Sequence, residues 1–478
     1  MENIILQIVQ EKSKKIIEYF QSHGVCGINQ MAEELKRLSE EMALEMLTAF
    51  IGCADEAICE AKAQRKSDGI KVHERRVPRT TFTVLGEMTY QRTYFDMPNG
   101  ERKYILDDVI EVAPYERIDS GISAKLVNTA AMYSFGRSAD IVTGGQISRQ
   151  SVRNKIMNTG EVLHIPAKAK KPPEALHIFA DEDHVHLQRG GNAIIPLITV
   201  CEGKRRLSEG RNELIEAFHV QGYGIKPENF WEYVYALCAE KYDIEHLGKI
   251  YIYGDGASWI LTGFDYFTSA MHILDEFHFK KRLKKLLAGE ICASYAGVIH
   301  RVISDNDPAR FEKIIDKMLL AVNEKLPEGK VRTGRIKALN DNSKYIRKFW
   351  EAIQNMKTPD SIGSCTEAMV SHVLSERFSR SPMGWSKQGL SKTSMIRVFV
   401  LNGGKIQPTD TLAWKKYSNK NSVITTHKKY EAIIKAQHDK LFKDVNSWRW
   451  FETESQISGK TTGTSVALDA LGRMRNVS

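Results

Sequence analysis

No stretch of about eighteen consecutive apolar residues occurs in this chain, so the sequence offers no candidate for a membrane-spanning helix. No CxxC pair joins its seven cysteines either: Cys26, Cys53, Cys59, Cys201, Cys238, Cys292 and Cys365 lie scattered. That spacing excludes a disulfide framework and a zinc ribbon, and it points to a reducing, cytoplasmic compartment. A secretory leader is not expected either, because Glu2, Gln7, Gln10 and Glu11 interrupt the first apolar residues. What the chain does have is 478 residues, 42% hydrophobic, enough for about three domains. Its 68 Lys and Arg against 59 Asp and Glu leave a formal charge of +9, a balance that suits a polyanionic partner.

From Ile4 to about Arg65 apolar residues recur at helical spacing, broken at Gly24 and Gly27, which predicts amphipathic helices for packing or dimerisation. Thr81 to Leu85, Met88 to Phe95 and Lys103 to Leu106 predict a three-stranded meander turning at Gly86 and at Asn99-Gly100. Ser138 to Met157 has the pattern of a helix-turn-helix. Its break falls at Gly144-Gly145, Ser148 is the N-cap of the second helix, and Arg149, Gln150, Arg153 and Asn154 lie along that helix. Lys168, Lys170, Lys171, Pro172 and Pro173 read as a linker.

Beyond it strands and helices alternate. Strands are expected at Leu176 to Leu187, Ala193 to Val200 and Lys204 to Leu207, a helix at Pro227 to Lys241, a buried strand at Lys249 to Tyr253, a short helix at Ala257 to Leu261 and a strand at Met271 to Leu274. The fold class expected is mixed α/β. Three leading strands followed by this alternation is the order of a ribonuclease H-like core, an analogy that other α/β folds also satisfy. Phe279 to about Met356 is helical throughout, as an insertion would be, and Gly363 to Phe378 resumes as a helix.

Acidic residues sit where the chemistry of a strand end is expected. Asp181 and Asp183 share one face of the first strand by its period of two, and either could serve as a ligand. Asp255 follows the strand Tyr251-Ile-Tyr-Gly, with Gly254 and Gly256 allowing a sharp turn. Carboxylates delivered by separate elements suit magnesium, and a pair of such ions suits phosphodiester chemistry. His184, His186 and His278 raise zinc, but no clear fourth ligand accompanies them.

Four blocks in order carry a resemblance: Phe179-Ala-Asp-Glu-Asp-His-Val-His-Leu-Gln, Tyr253-Gly-Asp-Gly-Ala-Ser-Trp-Ile, Leu274-Asp-Glu-Phe-His-Phe and Gly363-Ser-Cys-Thr-Glu-Ala-Met-Val-Ser-His-Val-Leu-Ser-Glu-Arg-Phe. They resemble the ISLre-two family of insertion-sequence transposases, with Ser381-Pro-Met-Gly-Trp-Ser in support. That family is similar in turn to Mutator-like transposases of the Asp-Asp-Glu class. The resemblance implies a catalytic, metal-binding triad of Asp181, Asp255 and Glu367, with Asp275 and His278 as the following Asp-x-x-His motif and Asp183 in support. Glu376, nine residues beyond Glu367, is the alternative third carboxylate. It further implies two Mg2+ or Mn2+ ions, double-stranded DNA at terminal repeats and at a target as partners, and a homo-oligomer assembled on that DNA. Cleavage at the element's ends would precede attack of the freed 3'-hydroxyl on target DNA.

The expected organisation is then residues 1–75 as N-terminal helices, 76–130 as meander and connecting helix, 131–165 as helix-turn-helix, 174–280 and 361–400 as the two parts of the catalytic core, 281–360 as helical insertion, and 401–478 as a basic and aromatic region with a flexible tail. Cations flank each acidic block and are expected on phosphates: Lys204, Arg205 and Arg206; Lys280, Lys281, Arg282, Lys284 and Lys285; Arg377, Arg380, Lys387 and Arg397. Trp414-Lys-Lys-Tyr, His427-Lys-Lys-Tyr and Trp448-Arg-Trp interleave aromatics with cations, a composition that can stack bases. The rival expectations are a transposase-derived DNA-binding protein without catalysis, a metal-dependent nuclease with no joining step, and a structural or regulatory α-helical protein.

Overall fold

The computed structural model describes residues 2–24, 27–162, 173–209, 211–380, 384–410 and 428–436. The linker lysines with Pro172, the Trp414 and Trp448 motifs, His427, Cys26 and Ser381 to Met383 lie outside the described residues. The chain is mixed α/β and divides into two compact units, Met1–Asp119 with Ala413–Ser478, and Ser120–Leu412. No helix among the described residues is long and apolar enough to cross a membrane.

In the first unit, helices Glu2–His23 and Ile28–Glu60 pack on one another, and the second also packs on a three-stranded sheet. That sheet is β1 (Lys71–Thr83), β2 (Gly86–Asp96) and β3 (Arg102–Lys103), paired in sequence order. Strand β1 begins ten residues before the expected Thr81, because its early part is exposed and lacks the apolar alternation that marks a strand. The expected third strand stops at Lys103, and Ile105–Val109 forms a helix whose Asp107 takes Arg79, Arg92 and the Tyr90 hydroxyl in a buried cluster.

The second unit is built on a five-stranded sheet. Its strands are β4 (Leu176–His186), β5 (Asn192–Cys201), β8 (Phe218–Gln221), β9 (Ile250–Gly254) and β10 (Met271–Leu274), in the spatial order β10-β9-β4-β5-β8. β5 is antiparallel to β4 and β8, whereas β9 is parallel to β4, and β10 to β9. Lys204 to Leu207, expected in this sheet, instead lies in β6 (Gly203–Ser208), which forms a separate two-stranded hairpin with β7 (Arg211–Ile215). The physical reason is polarity: β6 is exposed beyond Gly203, whereas the short Phe218–Gln221 alternates buried Phe218 and Val220 and takes the third place. Strand β9 is buried along its whole length, as a strand covered on both faces must be.

On one face, Leu176, Ile178, Ala180, Ile250 and Ile252 pack with Phe230, Trp231 and Val234 of the helix Pro227–Lys241. The opposite face of β4 presents Phe179, Asp181, Asp183 and Val185. Val185 packs there with Val370, Val373 and Leu374, which belong to the segment Thr366–Phe378. The insertion is helical: Pro308–Lys325, Lys330–Lys348 and shorter helices gather around Phe311, Ile315, Met318 and Leu339. Three further helices, Ser120–Met132, Phe135–Thr143 and Arg149–Met157, pack mutually, and the first and third of them also pack on Lys387–Leu401. Gly144 turns in the left-handed conformation at φ 59°, and the Ser148 hydroxyl accepts from the Ser151 N–H at 3.1 Å as the next N-cap.

Candidate active site

Register places three aspartates at one level. In the parallel pairing Phe179 lies opposite Tyr253, and Tyr253 opposite Ile273, so Asp181, Asp255 and Asp275 each stand two residues further on, at or beyond the point where the three strands stop pairing. Carboxyl ends of neighbouring parallel strands are where open α/β sheets collect ligands. Asp255 is half-buried. Its carboxylate accepts the Ala257 N–H at 2.8 Å, and its carbonyl accepts the hydroxyl of Tyr345, from the insertion, at 2.7 Å.

Asp275 is buried and caps the helix Glu276–Leu286. Its Oδ1 accepts the His278 N–H and the His278 ring Nδ1–H, both at 2.9 Å, and its Oδ2 accepts the hydroxyls of Ser364 and Thr366. Burial opposes ionisation of Asp275, but hydrogen bonds from His278, Ser364 and Thr366 together hold its carboxyl far below the usual range. The same carboxylate raises the His278 pKa, so the imidazole is held as a cation more readily.

Asp181 is the perturbed member. Burial pushes it up to about 7; the Glu182 N–H and the His278 charge act against that, while Asp275 and Asp255 add to it. Because the folded pKa lies above the ordinary 3.8, the native state holds a proton that the unfolded chain releases, and folding stability falls as pH rises from about 4 to about 7. Asp181→Asn is therefore expected to melt a few degrees above the wild type at pH 8 in chelator, with the difference vanishing toward pH 4. Melting curves at the two pH values check this, and equal melting temperatures at pH 8 would contradict it.

Asp183 does not join the group. It is buried, and both carboxylate oxygens accept from the Ser379 hydroxyl, at 3.1 and 3.0 Å. Glu367 is exposed in the first turn of Thr366–Val370, a helix packed against β4. Its neighbour Thr366 is tied to Asp275 and the far end of its segment to Asp183, so Glu367 rides on a helix fixed at both ends. Ser371–Ser375 within that segment is a π turn, a distortion found disproportionately at functional sites. Glu376 is occupied by His372 at 2.9 Å and Arg380 at 3.5 Å.

Among the described residues no three His, Cys, Asp or Glu side chains are grouped closely enough to hold a metal ion. By chemistry the donors fit a hard divalent cation all the same. Asp181 and Asp255 offer only oxygen and repel one another, and magnesium is commonly held by one or two carboxylates with water and substrate phosphate filling the rest. His186 pairs with Asn192 at 2.9 Å.

The cations expected on DNA divide. Arg149, Gln150, Lys280 and Lys281 are exposed, and Arg153 and Arg282 are half-buried, with Arg282 over the Tyr345 ring at 4.7 Å. Arg380 is exposed and paired with Glu376. Arg377 and Arg397 are corrected: they are 4% and 2% exposed, and their guanidinium groups serve main-chain carbonyls of the protein itself. Sequence reasoning also missed Tyr345, Ser364, Thr366 and Ser379. Only Ser364 and Thr366 left a signal, as two hydroxyls spaced by one residue just ahead of Glu367.

Residues 23–415 match the model of the uncharacterised protein family UPF0236. In Caldanaerobacter subterraneus subsp. tengcongensis, UPF0236 protein TTE0610/TTE0881/TTE1053/TTE2432 is 33% identical over 453 residues, covering 93% of either chain. UPF0236 protein TTE2489 is 33% identical over 454 residues, covering 94% of this chain and 95% of its own. A third relative from that organism, 32% identical over 453 residues and covering 93% of either chain, has a name that joins eleven designations, from TTE0033 to TTE2212.

Proposed function

The chain belongs to the uncharacterised protein family UPF0236, and from this premise we propose that it is an insertion-sequence transposase, cleaving and joining DNA at Asp181, Asp255 and Glu367. The observation that carries the reading is the meeting of Asp181, Asp255 and Asp275 just beyond the point where three adjacent parallel strands stop pairing with one another, with Asp181 raised to about 7. The sheet supports a ribonuclease H-like core: numbered by sequence within the sheet, its spatial order is third, second, first, fourth, fifth, with the second strand antiparallel. Further support comes from the relative with eleven designations in one organism, the multiplicity that a self-copying element leaves behind.

Asp181 and Asp255 would hold Mg2+ or Mn2+ with Glu367 as the third carboxylate, and the bound ions would supply Lewis-acid stabilisation of the attacking and leaving oxygens. Asp275 keeps its charge through its four donors and fixes both His278 and the start of the glutamate helix. His278, whose protonated form the Asp275 carboxylate favours, is suited to a phosphate oxygen near Asp181. Arg149, Gln150 and Arg153 on the second helix of the helix-turn-helix would meet duplex DNA at the terminal repeats, with Lys280, Lys281, Arg282 and Arg380 on phosphates nearer the carboxylates. A homo-oligomer assembled on paired ends, and a cytoplasmic location, complete the reading.

The test uses the full chain with duplexes copied from the sequence flanking its gene. The expected result is magnesium- or manganese-dependent cleavage and strand transfer, both lost in Glu367→Gln. The exposed Glu367 and the absence of a ready three-residue metal group among the described residues favour a second reading, a transposase-derived DNA-binding protein without catalysis. Tight duplex binding with no cleavage in either metal would establish that one. Cleavage without strand transfer would establish a nuclease.

A further inference from the structure

The helix Ser120–Met132 has no basic residue in its own last turn. Its final carbonyls would be left for water or for side chains, since the last four C=O groups of an α-helix have no partner within it. Two arginines from distant parts of the chain supply them. Arg377 Nε donates to the Ala130 carbonyl at 3.1 Å, and Arg397 Nη1 donates to the Ala131 carbonyl at 3.0 Å. Cations at a helix C-terminus also complement its dipole.

Arg397 does more than cap. Its Nη2 donates to the His372 carbonyl at 2.7 Å and its Nε to the Val373 carbonyl, both inside the π turn of the segment that begins at Thr366. One planar guanidinium thus joins the end of Ser120–Met132, a helix packed on both helices of the helix-turn-helix, to the one irregular turn in the glutamate segment. Arg377, on that same segment, lies 5.3 Å from the ring of Phe135, the first residue of the helix Phe135–Thr143, and 4.9 Å from that of Trp385. Burial lowers the pKa of both arginines, and main-chain carbonyls are the acceptors that face them in that dry setting. The nearest carboxylate to Arg397 is Glu376, at 3.9 Å.

We infer that Arg397 is a positioning residue that couples the helix-turn-helix to the Glu367 helix, so that DNA held by the former sets the register of the latter. The inference rests on the proposed function, since the input to the coupling is duplex DNA. A π turn can migrate or relax to α by moving one carbonyl, and such a move rotates every residue on one side of it relative to the other. Arg397 fixes two of the carbonyls involved, and a planar fork does so in a way that a lysine cannot.

Hydrogen exchange of the full chain, metal-free, with and without the duplex copied from the gene's flank, tests this. In the wild type the duplex is expected to slow exchange of the amides at 371–378 by about tenfold, a coupling of ordinary allosteric size. Arg397→Lys is expected to bind the duplex as the wild type does and to lose that transmitted protection, and in magnesium its cleavage rate falls while its KM for duplex stays put. A cap of merely structural value would lower melting temperature and leave the DNA-dependent difference intact, which overturns the inference. If Arg397→Lys does not fold, the wild-type comparison decides: duplex binding with unchanged exchange at 371–378 overturns the coupling alone. A wild-type chain that fails to bind the duplex overturns both the functional reading and the coupling.

Discussion

Asp255→Ala, purified and folded, is expected to lose metal-dependent cleavage of the flanking duplex by about a thousandfold or more, on the order of 4 kcal/mol of barrier. Asp255 stands on the short loop after β9, with its carboxylate directed by the Ala257 N–H and its main chain held by Tyr345. Removing the carboxylate removes one of only two that the register places side by side on neighbouring strands with no cap or hydroxyl pair to occupy them. Asp275, by contrast, is already saturated. Duplex binding should stay within a fewfold of the wild type, because the cations proposed to meet phosphate are other residues. A gel assay of cleavage beside a binding isotherm separates the two effects. Retained cleavage in Asp255→Ala would remove the carboxylate reading altogether.

Gly256→Ala is expected to destabilise the second unit by about 2–5 kcal/mol, from left-handed backbone strain and overpacking together. Gly256 has φ +82°, and a Cβ there would stand closer than 3.0 Å to the ring of Phe349, which is buried in the core of the helical insertion. Neither cost can be escaped cheaply, since Phe349 is held by Tyr345 and His272 around it. In a Phe349→Leu background the added cost of Gly256→Ala should shrink to the backbone part alone, a coupling that a double-mutant cycle in denaturant measures. Equal costs in the two backgrounds would show that the ring is not what constrains the glycine.

How far the sequence carried the fold depends on where each signal resides. Strand β9 was legible because Ile250 to Tyr253 is an unbroken apolar run closed by Gly254, and the insertion because its helices repeat at the α period. The third strand of the sheet was not: Phe218–Gln221 is four residues long, whereas Lys204 to Leu207, expected in that place, belongs to a solvated hairpin. Asp255 could be picked out from its strand end and flanking glycines, whereas Asp275 was reached only through the resemblance. Distinguishing Asp181 from Asp183 could not be done locally, because the difference is Ser379, which meets Asp183 from 196 positions away. The same holds for Arg377 and Arg397. Residue type says that they are cations, and only the fold says that their partners are carbonyls at a helix end 247 and 266 residues distant.

The hydroxyls that hold Asp275 come from Ser364 and Thr366, 89 and 91 residues further along. A ribosome adds about 5–20 residues each second, so a nascent chain spends on the order of ten seconds with its three strand-end aspartates made and the glutamate segment still unsynthesised. Tyr345 and Phe349, which reach the Asp255 loop, are themselves added only late in that interval. A truncated product released anywhere in this window carries the acidic cluster without the helix that organises it. Under the proposed function, order of synthesis would then complete the carboxylate set only when its last member, Glu367, is made.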